Sequence, residues 1–242
     1  SFQGAKVAFI GMTLEGTPSI VTPSGISSVS FLDEVETVNA LIPRLKQQGI
    51  ETIVVLVHEG GIQAAPAPYS GCTGISGPIV DIANGFDDEV DVVISGHTHQ
   101  PYNCTIDGKL VTSAFSFGRL VTKVDLTINR ATGEVVTNAA DNRIVTRDVT
   151  KDAAQTALIA KYNAIAAPLA NRVIGSITGT ITRTNNAAGE SALGDVIADA
   201  QLEATDDPGL GDAVMAFMNP GGIRADLTYL GSPAGEGDGN VT

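Results

Sequence analysis

Tryptophan is missing from this sequence, histidine occurs three times, cysteine twice, and lysine plus arginine number 14 against 27 aspartates and glutamates. Each scarcity excludes something. A net charge of -13 and a pI near 4.4 argue against a nucleic-acid or anionic-membrane surface, because such surfaces need clustered cations. Any phosphate-bearing ligand must then be drawn in by metal ions or by a few placed arginines. No apolar run approaches the roughly 20 residues that cross a bilayer, so no membrane span is expected. The first residues, Ser1-Phe2-Gln3-Gly4, lack the basic and apolar regions of a signal peptide, so an exported protein would already have lost its signal. Cys72 and Cys104 flank one apolar strand pattern in loop-like contexts. A disulfide closing a surface loop in an oxidising compartment and two free thiols both fit. Without CxxC spacing, a cysteine metal site is not expected.

What is there suits a globular α/β protein: 43% of the 242 residues are hydrophobic, enough for one large core or two modest ones. Lys6 to Met12 reads as a buried strand. Asp33 and Glu36 open an amphipathic helix with Val35, Val38, Leu41 and Leu45 on one face, stopped by Gly49. Ile53 to Val57 is a continuous buried-strand run leading into His58-Glu59-Gly60-Gly61. Gly77-Pro78 precedes a short helix over Ile79 to Ala83, and Val90 to Ile94 is a second buried strand leading into Ser95-Gly96-His97-Thr98-His99. Leu110 to Ala114 and Leu120 to Ile128 alternate as antiparallel strands, with a turn over residues 129–133 before Glu134 to Thr137. Lys151 to Asn171 has apolar positions at helical spacing and reads as a linker helix between two domains. A strand over Val173 to Thr182, a Gly-Glu-Ser start to a helix over Leu193 to Ala204, an apolar strand over Ala213 to Met218, and Asn219-Pro220-Gly221-Gly222-Ile223-Arg224 follow. The Gly-rich tail from Gly231 shows no closing element. The expected domains are residues 1–148 and 173–242, joined by a linker at 149–172.

All three histidines stand directly after predicted buried strands. The carboxyl ends of strands in open α/β sheets are where loops converge on ligands, and imidazole suits zinc, manganese or iron. His58, His97 and His99 are therefore candidate metal ligands rather than strand caps and solvent-facing loop residues.

The segments VVLVHEGG, VDVVISGHTHQ, GESALGDVIADAQL and NPGGIR, in this order, resemble the 5'-nucleotidase and 2',3'-cyclic-nucleotide phosphodiesterase family of calcineurin-like metallophosphoesterases over nearly the whole chain. The resemblance implies an α/β fold class: the second half of an αββα metallophosphoesterase sandwich, a linker helix and the first part of an α/β C-terminal substrate domain. It implies two divalent metal ions, zinc, manganese or similar, with His58 and His97 on one ion and His99 on the other. A bridging hydroxide would then attack the phosphorus of a nucleotide. Arg224 would bind phosphate or substrate, Asn219 the base or ribose, and Arg183 is similar to a further substrate-side arginine. Ala187 departs from the family, which places an arginine there.

The family's remaining ligands, an Asp-x-His pair, a bridging Asp and an Asn-His pair, lie before the equivalent of Lys6 and have no counterpart here. The sequence thus reads as truncated at both ends, and no catalytic residue beyond the metal ligands is expected within it. Two functions follow: a secreted or cell-surface nucleotide phosphohydrolase, or a catalytically incomplete, non-catalytic binding module of the same family. A sheet without its first strands would expose an unpaired edge, which predicts self-association or a partner chain.

Overall fold

A computed structural model describes residues 4–231, 235 and 237–242. The chain divides into two compact units, Ser1–Asp148 and Val149–Thr242.

The first unit is built on four parallel strands. β1 (Val7–Met12) leads through two single 3-10 turns to α1 (Glu34–Gln47), which returns the chain to β2 (Thr52–Val57), beside β1. The helix starts where it does because the Asp33 carboxylate accepts the Glu36 N–H at 2.6 Å. It ends at Gln48, with Gly49 at φ +68°, a left-handed conformation that costs glycine little. α2 (Pro78–Gly85) and β3 (Val92–Ile94) repeat the crossover. β4 (Pro101–Ile106) and β5 (Lys109–Ala114) form a hairpin, and β5 inserts next to β3, so the sheet order is β1-β2-β3-β5-β4 with β4 antiparallel. β6 (Leu120–Ile128) and β7 (Val135–Ile144) pair as a separate antiparallel hairpin.

β2 is a continuous apolar run because both of its faces are covered. One face packs Ile53, Val55 and Val57 with Val93 and Val111 against Val38 and Ile42 of α1 and Ile79 and Ala83 of α2. The other packs Val54, Val92 and Leu110 against Val124, Leu126 and Ala140 of the β6–β7 hairpin. Helices, sheet and hairpin are three successive layers of the expected α/β sandwich. Cys72 and Cys104 are joined in a disulfide that spans 32 residues and fastens the loop before α2 to β4.

In the second unit α3 (Ala153–Ala170) opens on Asp152, whose carboxylate accepts the Gln155 N–H. β8 (Gly175–Ser176) pairs with β9 (Asn240–Val241), and Ile181 bridges Leu227. α4 (Ala192–Glu203) is capped by Ser191, as the Gly-Glu-Ser signal predicts.

Four expectations are corrected. Leu110–Ala114 pairs with Pro101–Ile106 and β3, not with Leu120–Ile128. The signal was Asp107-Gly108, whose left-handed φ values of 47° and 76° make the tight hairpin turn. The strand over Val173–Thr182 shrinks to Gly175–Ser176, and Ala213–Met218 is not a strand: Val214 and Phe217 are more than four-fifths exposed and no described segment pairs with them. A strand needs a neighbour for its backbone hydrogen bonds, which an apolar run does not itself supply. The tail does close, through β9.

Candidate metal centre

The three histidines sit at the carboxyl ends of β2 and β3, adjacent parallel strands. His58 extends β2 by one residue, its N–H donating to the Met12 carbonyl of β1 at 3.1 Å. Beyond β3 the chain turns sharply: Thr98 N–H donates to Gly96 O at 2.7 Å, closing a γ-turn around His97 at φ 62°. His99 is also left-handed, at φ 54°. Such conformations are costly for non-glycine residues and persist only where surrounding contacts hold them.

Those contacts lock the two loops together. Gly96 N–H donates to Glu59 O at 3.1 Å, and the Thr98 hydroxyl donates to Gly61 O at 2.7 Å. From below, the fully buried Tyr102 of β4 accepts the Gly61 N–H at 3.2 Å, and its hydroxyl meets the Ser95 hydroxyl at 2.5 Å. Burial pushes the Tyr102 phenol up from its ordinary pKa, with the Ser95 and Gly61 hydrogen bonds opposing, so it stays neutral and can serve both loops. Tyr102 is a positioning residue that the sequence reading missed; its only signal was a polar tip inside an apolar strand. Gly60 is the other. A Cβ there would stand 2.2 Å from Gly96 O and 2.6 Å from Thr98 Oγ1, so only glycine lets the loops touch.

The result brings His58 and His97 together, ring centroids 5.1 Å apart at 68°, both exposed to solvent. His99 turns instead to Phe117, 5.4 Å away edge to face. Two adjacent imidazoles fit a pair of ligands to one divalent ion. The described residues complete no three-donor group around them: the two clusters of ligand atoms within 4.8 Å are all carboxylate, Glu15/Asp33/Glu34 and Glu51/Glu89/Glu134.

Asn219, Arg224 and Arg183 lie in the second unit. The Asn219 carboxamide oxygen accepts the Gly221 N–H at 3.0 Å and shapes the Pro220–Gly222 turn. Arg183 Nη1 donates to Ile223 O at 3.1 Å, so this arginine braces the turn that presents Arg224. Arg224 is exposed and makes no hydrogen bond or ion pair with any described residue, leaving a full guanidinium fork for an anion.

The chain is similar to known 5'-nucleotidases. Residues 173–242 match the 5'-nucleotidase C-terminal domain. The chain is 34% identical to "Endonuclease YhcR" of Bacillus subtilis over 93% of its own length and 18% of that protein's. It is 31% identical to "Cell wall protein Lmo0130" of Listeria monocytogenes over 93% of its length and 30% of that protein's. Its fold is similar to the crystal structure of the 5'-nucleotidase precursor from Thermus thermophilus, with a TM-score of 0.66 and 22% identity, covering 98% of this chain and 45% of that one. The chain therefore spans less than half the length of each of these proteins.

Proposed function

We propose that the protein is a metal-dependent phosphohydrolase acting on nucleotides, as a 5'-nucleotidase, a 2',3'-cyclic-nucleotide phosphodiesterase, or both. The observation that carries this reading is the His58–His97 pair, 5.1 Å apart at the ends of adjacent parallel strands. Two divalent ions, zinc or manganese, would polarise the phosphoryl oxygens and supply a hydroxide nucleophile at neutral pH. His58 and His97 would hold one ion and His99 the other. The exposed guanidinium of Arg224 would bind the phosphate or substrate, Asn219 would contact base or ribose, and Arg183 would set the turn that aims Arg224. The domains follow as residues 1–148 for the metal-binding part, 149–172 for the linker helix and 173–242 for the substrate part. The disulfide and the likeness to a cell wall protein support a secreted or cell-surface location, and among the described residues no helix is long and apolar enough to cross a membrane.

A second reading is a non-catalytic binding module, favoured by the absence of a carboxylate from the histidine cluster among the described residues. One experiment separates the two. Phosphate release from AMP and ring opening of 2',3'-cyclic AMP to the monophosphate are measured with manganese or zinc, for the wild type and for His97→Ala. Hydrolysis that needs metal and His97 supports the enzyme; zinc binding through His97 without turnover supports the module. Turnover that ignores both metal and His97 would sink the metal-site reading.

A further inference from the structure

The candidate ligands are not oriented alike: the rings of His58 and His97 face each other, whereas His99 faces neither. A histidine that ligates a metal ordinarily has its second ring nitrogen tied by a hydrogen bond to a carboxylate or carbonyl, which fixes the ring before an ion arrives. The His99 imidazole has no such bond with any described residue. What it meets is the ring of Phe117, with centroids 5.4 Å apart and planes at 71°, the edge-to-face geometry that aromatic pairs prefer.

Phe117 is 75% exposed, so burial does not fix its ring. Beyond β5 the chain runs Phe115-Ser116-Phe117-Gly118-Arg119, with φ of 65°, 59° and 66° at Phe115, Phe117 and Gly118. Left-handed backbone is natural for glycine but strained for phenylalanine, and it persists only where contacts hold it. The contact here is Arg119, whose Cζ lies 5.1 Å from the Phe115 centroid and 5.5 Å from that of Phe117, within cation–π range. Arg119 is itself anchored through its backbone. Its N–H donates to Ser116 O at 3.3 Å, and its carbonyl accepts the Val145 N–H at 2.9 Å, one residue beyond β7. The ion pairs formed by described residues use Lys46, Lys109, Lys123 and Arg143, so no carboxylate draws the Arg119 guanidinium off the rings. A continuous line of contacts therefore runs from the end of the hairpin through Arg119 and Phe117 to His99.

We infer that Phe117 is the positioning residue of His99: clamped by Arg119, its ring fixes the plane of the imidazole. A ring contact does this without engaging either imidazole nitrogen as donor or acceptor, so both stay available to an ion. His99 also needs such a support, because its own backbone is left-handed, at φ 54°, and its ring has no hydrogen bond to a described residue. The consequence for metal binding rests on the metal-site reading above, whereas the orientation itself exists without metal.

Two measurements on the whole chain test it: NMR of the histidine rings in EDTA reads the orientation, and zinc calorimetry in metal-free buffer reads its use. The His99 ring protons, assigned by their loss in His99→Ala, should be displaced from free-imidazole positions by the Phe117 ring current. Phe117→Ala should return them to those positions, Phe117→Tyr should keep the displacement, and Arg119→Ala should reduce it, all at an unchanged melting temperature. Zinc affinity should fall about tenfold in Phe117→Ala, the lower end of the range for losing a group that orients a ligand, and recover in Phe117→Tyr. Ring signals that stay put in Phe117→Ala, or that collapse equally in Phe117→Tyr, would overturn the inference, and signals indifferent to Arg119→Ala would remove the clamp. Zinc affinity that falls in His99→Ala but not in Phe117→Ala would show that the contact does not prepare a ligand. If instead His99→Ala binds zinc like the wild type, or the wild type binds none, while the ring signals follow Phe117 and Arg119, the metal reading of His99 fails and the orientation stands.

Discussion

Replacing Gly60 with alanine probes how the two histidine loops are kept together. The new Cβ would lie 2.2 Å from Gly96 O, 2.6 Å from Thr98 Oγ1 and 3.1 Å from Thr98 Cγ2. Thr98 could rotate away only by giving up its 2.7 Å hydrogen bond to Gly61 O, and no rotamer change moves the Gly96 carbonyl, which is backbone. The loops must therefore part by about 1 Å, a displacement known to cost a preorganised site about a hundredfold. Because the shift separates the segment bearing His58 from the one bearing His97, zinc affinity should fall about 10- to 100-fold, the range for losing a group that orients metal ligands. Overpacking should also lower stability by about 1–3 kcal/mol. Zinc calorimetry at pH 7 on the wild type, Gly60→Ala and His97→Ala, with thermal melts to confirm folding, gives the answer. A folded Gly60→Ala chain that binds zinc like the wild type would show that close loop contact does not set the histidines, and the positioning argument would fall.

Two further perturbations lie away from the site. Asp91 stands before β3, where its carboxylate accepts the Ile53 N–H at 2.8 Å; burial, with smaller contributions from Glu134 and Glu89, raises its pKa from 3.8 to about 6. Folding thus favours the protonated acid: the stability it confers is complete below pH 3.8 and is lost as pH rises through about 6. Asp91→Asn keeps an acceptor for Ile53 and escapes the ionisation, so at pH 7.5 it should be more stable, by about 1–2 kcal/mol once solvent screening of this half-buried group is allowed for. Melting temperatures across pH 4 to 8 check this, and an advantage that persists undiminished at pH 4 would contradict it. The Cys72–Cys104 bond closes a loop across 32 residues, worth about 3–4 kcal/mol by loop entropy. Cys72→Ser with Cys104→Ser should therefore melt about 10 °C lower, measured by circular dichroism; an unchanged melt would mean the loop is ordered without the bond.

Much of this protein was legible in one dimension. The runs at Ile53 to Val57 and Val90 to Ile94 announced parallel strands, because a strand covered on both faces has no reason to alternate. Helix starts at Asp33 and Ser191 were visible because a cap is a contact within three residues. Those local signals also placed every histidine at a strand end. Pairing was not legible, since a strand's partner is chosen by hydrogen bonds and packing between distant segments. Hence β4 went unnoticed until its hairpin with β5, and Ala213 to Met218 looked like a strand for which no neighbour exists among the described residues. Only the tertiary structure decided that His58 meets His97 while His99 turns to Phe117, and that Tyr102 and Gly60 hold the loops in contact. Each depends on residues well separated along the chain, where sequence supplies the parts and the packed sheet supplies the distances.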